Sequence, residues 1–279
     1  MNRIEKAFKS KPIFMPYFPL GYPDLDTSID VIEALANNGA DLIEVGLSFS
    51  DPLADGSVIQ RATQIALENG ITVKKSLEAI KELRNRGVDI PLVLMGYYNP
   101  MLAYSLEKFV NDAVTAGVDG FIIPDLPMEE SDEFELALSG TSRAVEAQVA
   151  YGTSAQSSAP RERLPLIQML APTTPPERME RIARNARGFI YLVSVIGVTG
   201  ERQSVSVGLG ELIARVREHT SVPVCVGFGI STPEQAKQVG SLADGVIVGT
   251  ACVRMIGGSE KPIETAKQFA AEFRSALND

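Results

Sequence analysis

The stretch LIEVGLSFSDPLADGSVIQRATQIALENG (42–70) decides how the rest of the chain is read. It opens on a short apolar run, crosses a polar loop containing Pro and Gly, and continues as an amphipathic helix. Ser57 stands at the expected N-cap of that helix and Gly70 at its stop. The same strand–loop–helix order recurs on both sides. Apolar runs fall at IFMPYF (13–18), LIEVGL (42–47), PLVLMG (91–96), GFIIPD (120–125), PLIQML (165–170), GFIYLVSV (188–195), PVCVGFG (223–229) and GVIVG (245–249). Each is almost continuously apolar rather than alternating, as in parallel strands covered on both faces. Helix-like segments lie between and after them, at 25–38, 58–68, 73–86, 105–116, 129–138, 175–186, 209–219, 233–241 and 262–277. Gly87, Gly117 and Gly188 fall where a helix hands over to a strand, and Ser231-Thr232-Pro233 opens a helix with Pro in its first turn.

Strand–helix units counted to eight predict an α/β fold, a single (β/α)₈ TIM barrel spanning 1–279, and a barrel needs roughly 250 residues. A doubly wound open sheet is the competing architecture. Its G-x-G-x-x-G signature is missing after the first strand. One stretch breaks the pattern: 139–163, SGTSRAVEAQVAYGTSAQSSAPRER, is rich in Ser, Thr and Ala where a short connection is usual. It reads as a surface insertion on the N-terminal face of the barrel, because it precedes the fifth strand.

Composition narrows the function. The 279 residues are 45% hydrophobic and carry a formal charge of −9, with no Lys/Arg cluster, which argues against a nucleic-acid partner. MNRIEKAFKSKP at the start has no apolar signal core, and no uncharged apolar run reaches about 18 residues, so a cytoplasmic protein without a membrane span is expected. Cys225 and Cys252 sit in apolar segments and read as small core residues, not a disulfide. The one histidine, His219, is expected at the surface near a helix C-terminus. Neither a Ser–His or Cys–His pair nor a His/Cys zinc set is available, so acid–base chemistry falls to carboxylates, lysines or tyrosines.

In a barrel, function collects on the loops that follow strands. Glu44 lies inside an apolar strand between Ile43 and Val45, a costly position unless the charge is paired or functional. A structural salt bridge is the plainer alternative. Asp51 and Asp55 follow in a Gly- and Pro-containing loop, where carboxylates often serve as turn or capping residues. Taken together, Glu44 and Asp55 read as one rigid acid on a strand and one movable acid on a loop. The segments SVIGVTGERQ (194–203), GFGIST (227–232) and VGTACV (248–253) are rich in Gly and poor in charge. Their backbone N–H groups suit an anion, and a helix N-terminus expected at 250–256 adds a positive dipole.

The motif EVG…FSDPLADG…IQ resembles that of the tryptophan synthase alpha-subunit family. The resemblance extends to MPY…GYPD (15–24), MGYYNPML (95–102), PDLPMEES (124–131), IYLVS…GVTG (190–200), GFGISTPEQ (227–235) and GVIVGTA (245–251), thus to nearly everything outside 139–163. It implies a lyase that cleaves indole-3-glycerol phosphate to indole and glyceraldehyde 3-phosphate. By position, Glu44 and Asp55 match the two catalytic carboxylates, and Tyr191 the tyrosine near the glutamate. Tyr17, Tyr97 and Phe228 resemble positions lining the indole pocket. Gly200, Gly229, Gly249 and Thr250 resemble phosphate-binding positions, and Thr199 the threonine of a mobile loop over the aspartate. The family further implies no metal and no cofactor in this chain. It implies a pyridoxal-phosphate-dependent beta subunit as partner in an alpha2beta2 complex. Ser48 and Ser57 stand where the family usually has proline, and Pro19-Leu20 and Ile196 also depart from it. Two other functions compete: another phosphate-sugar barrel enzyme, and a non-catalytic subunit that only activates a synthase.

Overall fold

A computed structural model describes residues 1–10, 12–139, 164–193, 202–227 and 229–278, with 202–207 described in backbone only. Eight parallel strands form the sheet: β1 (Ile13–Pro19), β2 (Ile43–Gly46), β3 (Leu92–Met95), β4 (Gly120–Ile122), β5 (Gln168–Leu170), β6 (Ile190–Val193), β7 (Val224–Gly227) and β8 (Gly245–Val248). They are ordered β4-β3-β2-β1-β8-β7-β6-β5. The two ends meet: Phe121 pairs with Leu166 in parallel, donating to Pro165 O at 2.9 Å and accepting from Ile167 N at 2.8 Å. The sheet therefore closes on itself, and the open doubly wound alternative falls. Among the described residues the helices are α1 (Arg3–Ala7), α2 (Leu25–Asn37), α3 (Ser57–Glu68), α4 (Val73–Asn85), α5 (Tyr98–Ala103), α6 (Leu106–Ala116), α7 (Asp132–Leu138), α8 (Pro176–Asn185), α9 (Arg202–Arg217), α10 (Pro233–Gly240), α11 (Thr250–Gly257) and α12 (Pro262–Asn278). No helix is long and apolar enough to cross a membrane, among the described residues.

Alternation along each strand sorts residues into two cores. Phe14, Phe18, Ile43, Val45, Ile190 and Leu192 face outward and pack beneath the helices. Phe14, for instance, stacks on Phe273 of α12 with ring centroids 5.3 Å apart. Ile13, Met15, Leu42, Val93, Ile122, Ile167, Phe189, Cys225 and Ile247 fill the barrel interior together with Ile4 and Phe8. Those last two belong to α1 and the residue that caps it. Their burial against Phe189, with Phe8 and Phe189 rings 6.0 Å apart, plugs the N-terminal mouth and leaves the C-terminal mouth for a site.

The helix boundaries hold some corrections. Ser57 is not a cap: Gly56 occupies the N-cap position without a side-chain hydrogen bond, and Ser57 is the first helical residue of α3. The helix expected at 209–219 begins at Arg202, since Gly208 and Gly210 lie inside it despite their poor propensity. His219 sits two residues beyond its end and is half-buried. Helices α1 and α5 were not expected from the sequence. Thr232 caps α10 with a full capping box to Gln235, and Pro233 is its first helical residue. Gly87, Gly117 and Gly188 take φ of 90°, 94° and 70°. Both cysteines are buried and neither forms a disulfide. The stretch expected to be an insertion lies outside the described residues, apart from Ser139.

Candidate active site

A cavity of about 730 Å³ opens at the C-terminal mouth of the barrel. Tyr17 and Glu44 enter it from β1 and β2, and Asp55 from the loop between β2 and α3. Met95, Ile122, Met169, Tyr191, Val193 and Ile247 add mostly apolar walls from β3 to β8. Gly229, Ser231, Gly249 and Thr250 line the far side. A volume of this size and an apolar lining with a few converging polar groups are typical of small-molecule sites.

Glu44 is 3% exposed and forms no salt bridge among the described residues, so the structural reading of its charge fails. Burial pushes its carboxyl up to about 8, and the nearby Asp55 charge adds to the shift. At neutral pH the protonated form is favoured. Asp55 is half-buried, and burial raises it to about 6, against a lowering hydrogen bond from the Tyr97 hydroxyl. It is therefore largely ionised near pH 7. Two acids in one cavity, held in opposite protonation states, suit a proton donor beside an anionic stabiliser.

Tyrosines frame the pair. Tyr17 is in register with Glu44 across β1 and β2. Its hydroxyl lies over Gly46, where a Cβ would collide with it, so that glycine leaves the space the tyrosine fills. Tyr191 lies over Gly227 in the same way, at 2.5 Å from a built Cβ. Burial, with the charges of Asp55 and Glu44, holds Tyr17 well above its ordinary value; burial and the Glu44 charge do the same to Tyr191. Both stay neutral donors. The Tyr97 hydroxyl accepts from the Ala54 N–H at 2.9 Å and bonds the Asp55 carboxylate, so it fixes the loop that carries that acid. Phe49 packs on its ring at 5.5 Å. Ser48, one of the departures from the family pattern, is buried and donates to Leu20 O at 3.4 Å.

The opposite side is built from backbone. Gly249 is the N-cap of α11 and offers no side-chain cap, so the first-turn N–H groups of Thr250, Ala251 and Cys252 have no intrahelical acceptor. Gly229 has φ of +84°, a conformation that a Cβ strains. Ser231 and Arg254 line the same side and were not singled out from the sequence. Ser231 was hidden in a run that reads as a helix cap. Arg254 was hidden in the polar face of an amphipathic helix. Thr199, Gly200 and Phe228 lie outside the described residues. Of the expected site residues, Tyr17, Glu44, Asp55, Tyr191, Gly229, Gly249 and Thr250 meet in the cavity.

A family model described as "Tryptophan synthase alpha chain" matches residues 4–144 and 148–278. Of the stretch that reads as an insertion, the match leaves out 145–147 alone. The chain is 45% identical to the tryptophan synthase alpha chain of Chloroflexus aurantiacus, over 99% of each. It is 43% identical to that of Geobacter sulfurreducens, over 91% of this chain and 90% of the relative. Among solved structures, the alpha subunit of tryptophan synthase from Legionella pneumophila superposes with a TM-score of 0.83 at 33% identity, covering 100% of this chain and 99% of that one. A chain of the Mycobacterium tuberculosis tryptophan synthase gives 0.81 at 31%, covering 99% and 100%.

Proposed function

The chain belongs to the tryptophan synthase alpha chain family, lyases of tryptophan biosynthesis that cleave indole-3-glycerol phosphate to indole and glyceraldehyde 3-phosphate, and we propose how its own residues carry out that reaction. The observation that carries the proposal is the pairing of a protonated Glu44 with an ionised Asp55 in one apolar cavity. Glu44 delivers its proton to C3 of the indole ring. Positive charge then develops at the ring nitrogen, and Asp55 accepts the ring N–H and stabilises it. The bond between C3 and the glycerol carbon breaks as the adjacent hydroxyl loses its proton, giving the aldehyde. That proton returns to the Glu44 carboxylate, directly or through water, and the acid is restored. Tyr17 and Tyr191 supply neutral hydroxyls beside the reacting centre.

The phosphate lies on Gly229, Gly249 and Thr250, where backbone N–H groups and the start of α11 face the cavity. Gly200, Thr199 and Phe228 are assigned by the family resemblance alone. Binding energy from a group that does not react thus orients the one that does. The scheme uses no cofactor of this chain. Pyridoxal phosphate belongs to the partner beta subunit, in a cytoplasmic alpha2beta2 complex. Leu53 on the Asp55 loop is 89% exposed and Leu102 on α5 43% exposed; both follow strands at the C-terminal mouth, and we place the contact with that partner there.

Indole release from indole-3-glycerol phosphate by the purified chain tests the reading, with and without a beta subunit. Equimolar indole and glyceraldehyde 3-phosphate are expected, faster with the partner, which fixes the Asp55 loop. A chain that yields no indole in either setting is an activating subunit only, and the acid–base assignment is wrong.

A further inference from the structure

We propose that Arg254 captures the phosphate dianion of the substrate at the mouth of the cavity. The proposal deepens the phosphate assignment above and rests on it. A dianion approaching this site meets a chain of formal charge −9 and a cavity holding two carboxylates. The groups assigned to the phosphate, Gly229, Gly249 and Thr250, are uncharged, as is their neighbour Ser231. Arg254 is the one cation among the described residues that line the cavity.

Three features fit Arg254 to that task. It follows Thr250 by four residues in α11, so the two share a face one turn apart. Long helical side chains lean toward the N-terminus, which carries the guanidinium back over the turn whose N–H groups are free. Its charge is also unspent. Arg84, Arg86, Arg178 and Arg274 are all engaged with carboxylates, whereas the Arg254 guanidinium has no ion pair or hydrogen bond among the described residues. A planar fork of donors matches a phosphate better than a point charge does. Because Arg254 is exposed, its contribution is screened by solvent, and it acts on capture more than on the chemical step.

The test is steady-state kinetics of Arg254→Gln and Arg254→Lys, with inorganic phosphate as competitor and ionic strength varied. Arg254→Gln should lower kcat/KM by about 5–30-fold through KM, with kcat held within about twofold. The inhibition constant of phosphate should rise in parallel, and the salt dependence of kcat/KM should flatten. Arg254→Lys should recover part of the loss, and cleavage of the dephosphorylated substrate should not change between parent and variants. If phosphate competes with substrate in the parent and equally well in Arg254→Gln, at unchanged KM and salt dependence, Arg254 has no part in capture although the phosphate assignment stands. If phosphate fails to compete even in the parent, that assignment is wrong and the proposal falls with it.

Discussion

The two ends of the cavity are made of different material. At one end the working groups are side chains, Glu44, Asp55, Tyr17 and Tyr191, whose ionisation is shifted by burial and by one another. At the other they are backbone N–H groups around Gly229, Gly249 and Thr250, with no titratable group except the exposed Arg254 among the described residues. The difference follows from what each end handles. A proton must be held and then released, which needs a group poised between two states. A phosphate keeps its charge throughout, so fixed dipoles serve, and what matters is that nothing stands in front of them. Damage at the first end should therefore appear in kcat and in the pH profile, and at the second in KM.

The sharpest break is Glu44→Gln, which keeps shape and removes the donor. Turnover should fall by about 10²–10⁴-fold while substrate still binds. Near-normal turnover would move the acid elsewhere. The same substitution should change stability in the opposite sense. A carboxyl whose folded value lies near 8, against an ordinary 4.5, binds its proton more tightly in the folded state, so folding weakens as pH rises through that window. Glu44→Gln lacks the penalty. Between pH 5 and pH 9 it should gain roughly 1–3 kcal/mol relative to the parent in denaturant titrations. A parallel pH dependence in the two proteins would mean that Glu44 is not held protonated.

The matching break at the other end is Gly229→Val. The residue sits at φ of +84°, so a branched side chain strains the backbone as well as facing the phosphate. We expect kcat/KM to fall about 10–100-fold, carried by KM, with the pH profile preserved. Loss of kcat at saturating substrate, with KM intact, would erase the division between the two ends.

How much of this was legible in the sequence also divides along that line. Glu44 stood out because a charge inside LIEVGL has no cheap explanation, and the eight apolar runs were enough to order the strands. All the strands but β1 are nevertheless shorter than the runs. PLIQML spans 165–170, yet β5 is Gln168–Leu170 and the closure through Leu166 is a single bridge, because apolar character continues past the hydrogen-bonded register. The anion side was harder to read. Ser231 shares its sequence with a helix cap, and Arg254 looks like any arginine on a solvated helix face; only their place in the cavity lining separates them from ordinary surface residues. Tyr97 resembles a pocket-lining position, and the bonds that tie it to Ala54 and Asp55 depend on the path of the loop. Helix α5 escaped because Pro100 and two tyrosines disguise a short helix with Met101 as its one buried residue.

The smallest effect expected is also the most specific to the side-chain end. Tyr97→Phe removes the hydroxyl that bonds Asp55 and accepts from Ala54 N–H, and leaves the ring packed on Phe49. Ala54 is exposed, so its N–H can turn to water at little cost. The Asp55 carboxylate loses a hydrogen bond that favours its charged form, so its value rises further above 6. The proposed mechanism needs Asp55 ionised and Glu44 protonated. The profile of kcat/KM should therefore be a bell in the parent, with an acid limb near 6 and an alkaline limb near 8. In Tyr97→Phe the acid limb should move to higher pH, by up to about one unit, while the alkaline limb stays close to its place, since burial is the main cause of the Glu44 shift. Activity should fall by up to about twofold near pH 7 and more steeply below it. An acid limb that stays put or moves to lower pH would show that the ionisation of Asp55 does not set it, and would remove the reason for placing a loop-borne carboxylate beside the strand-borne acid.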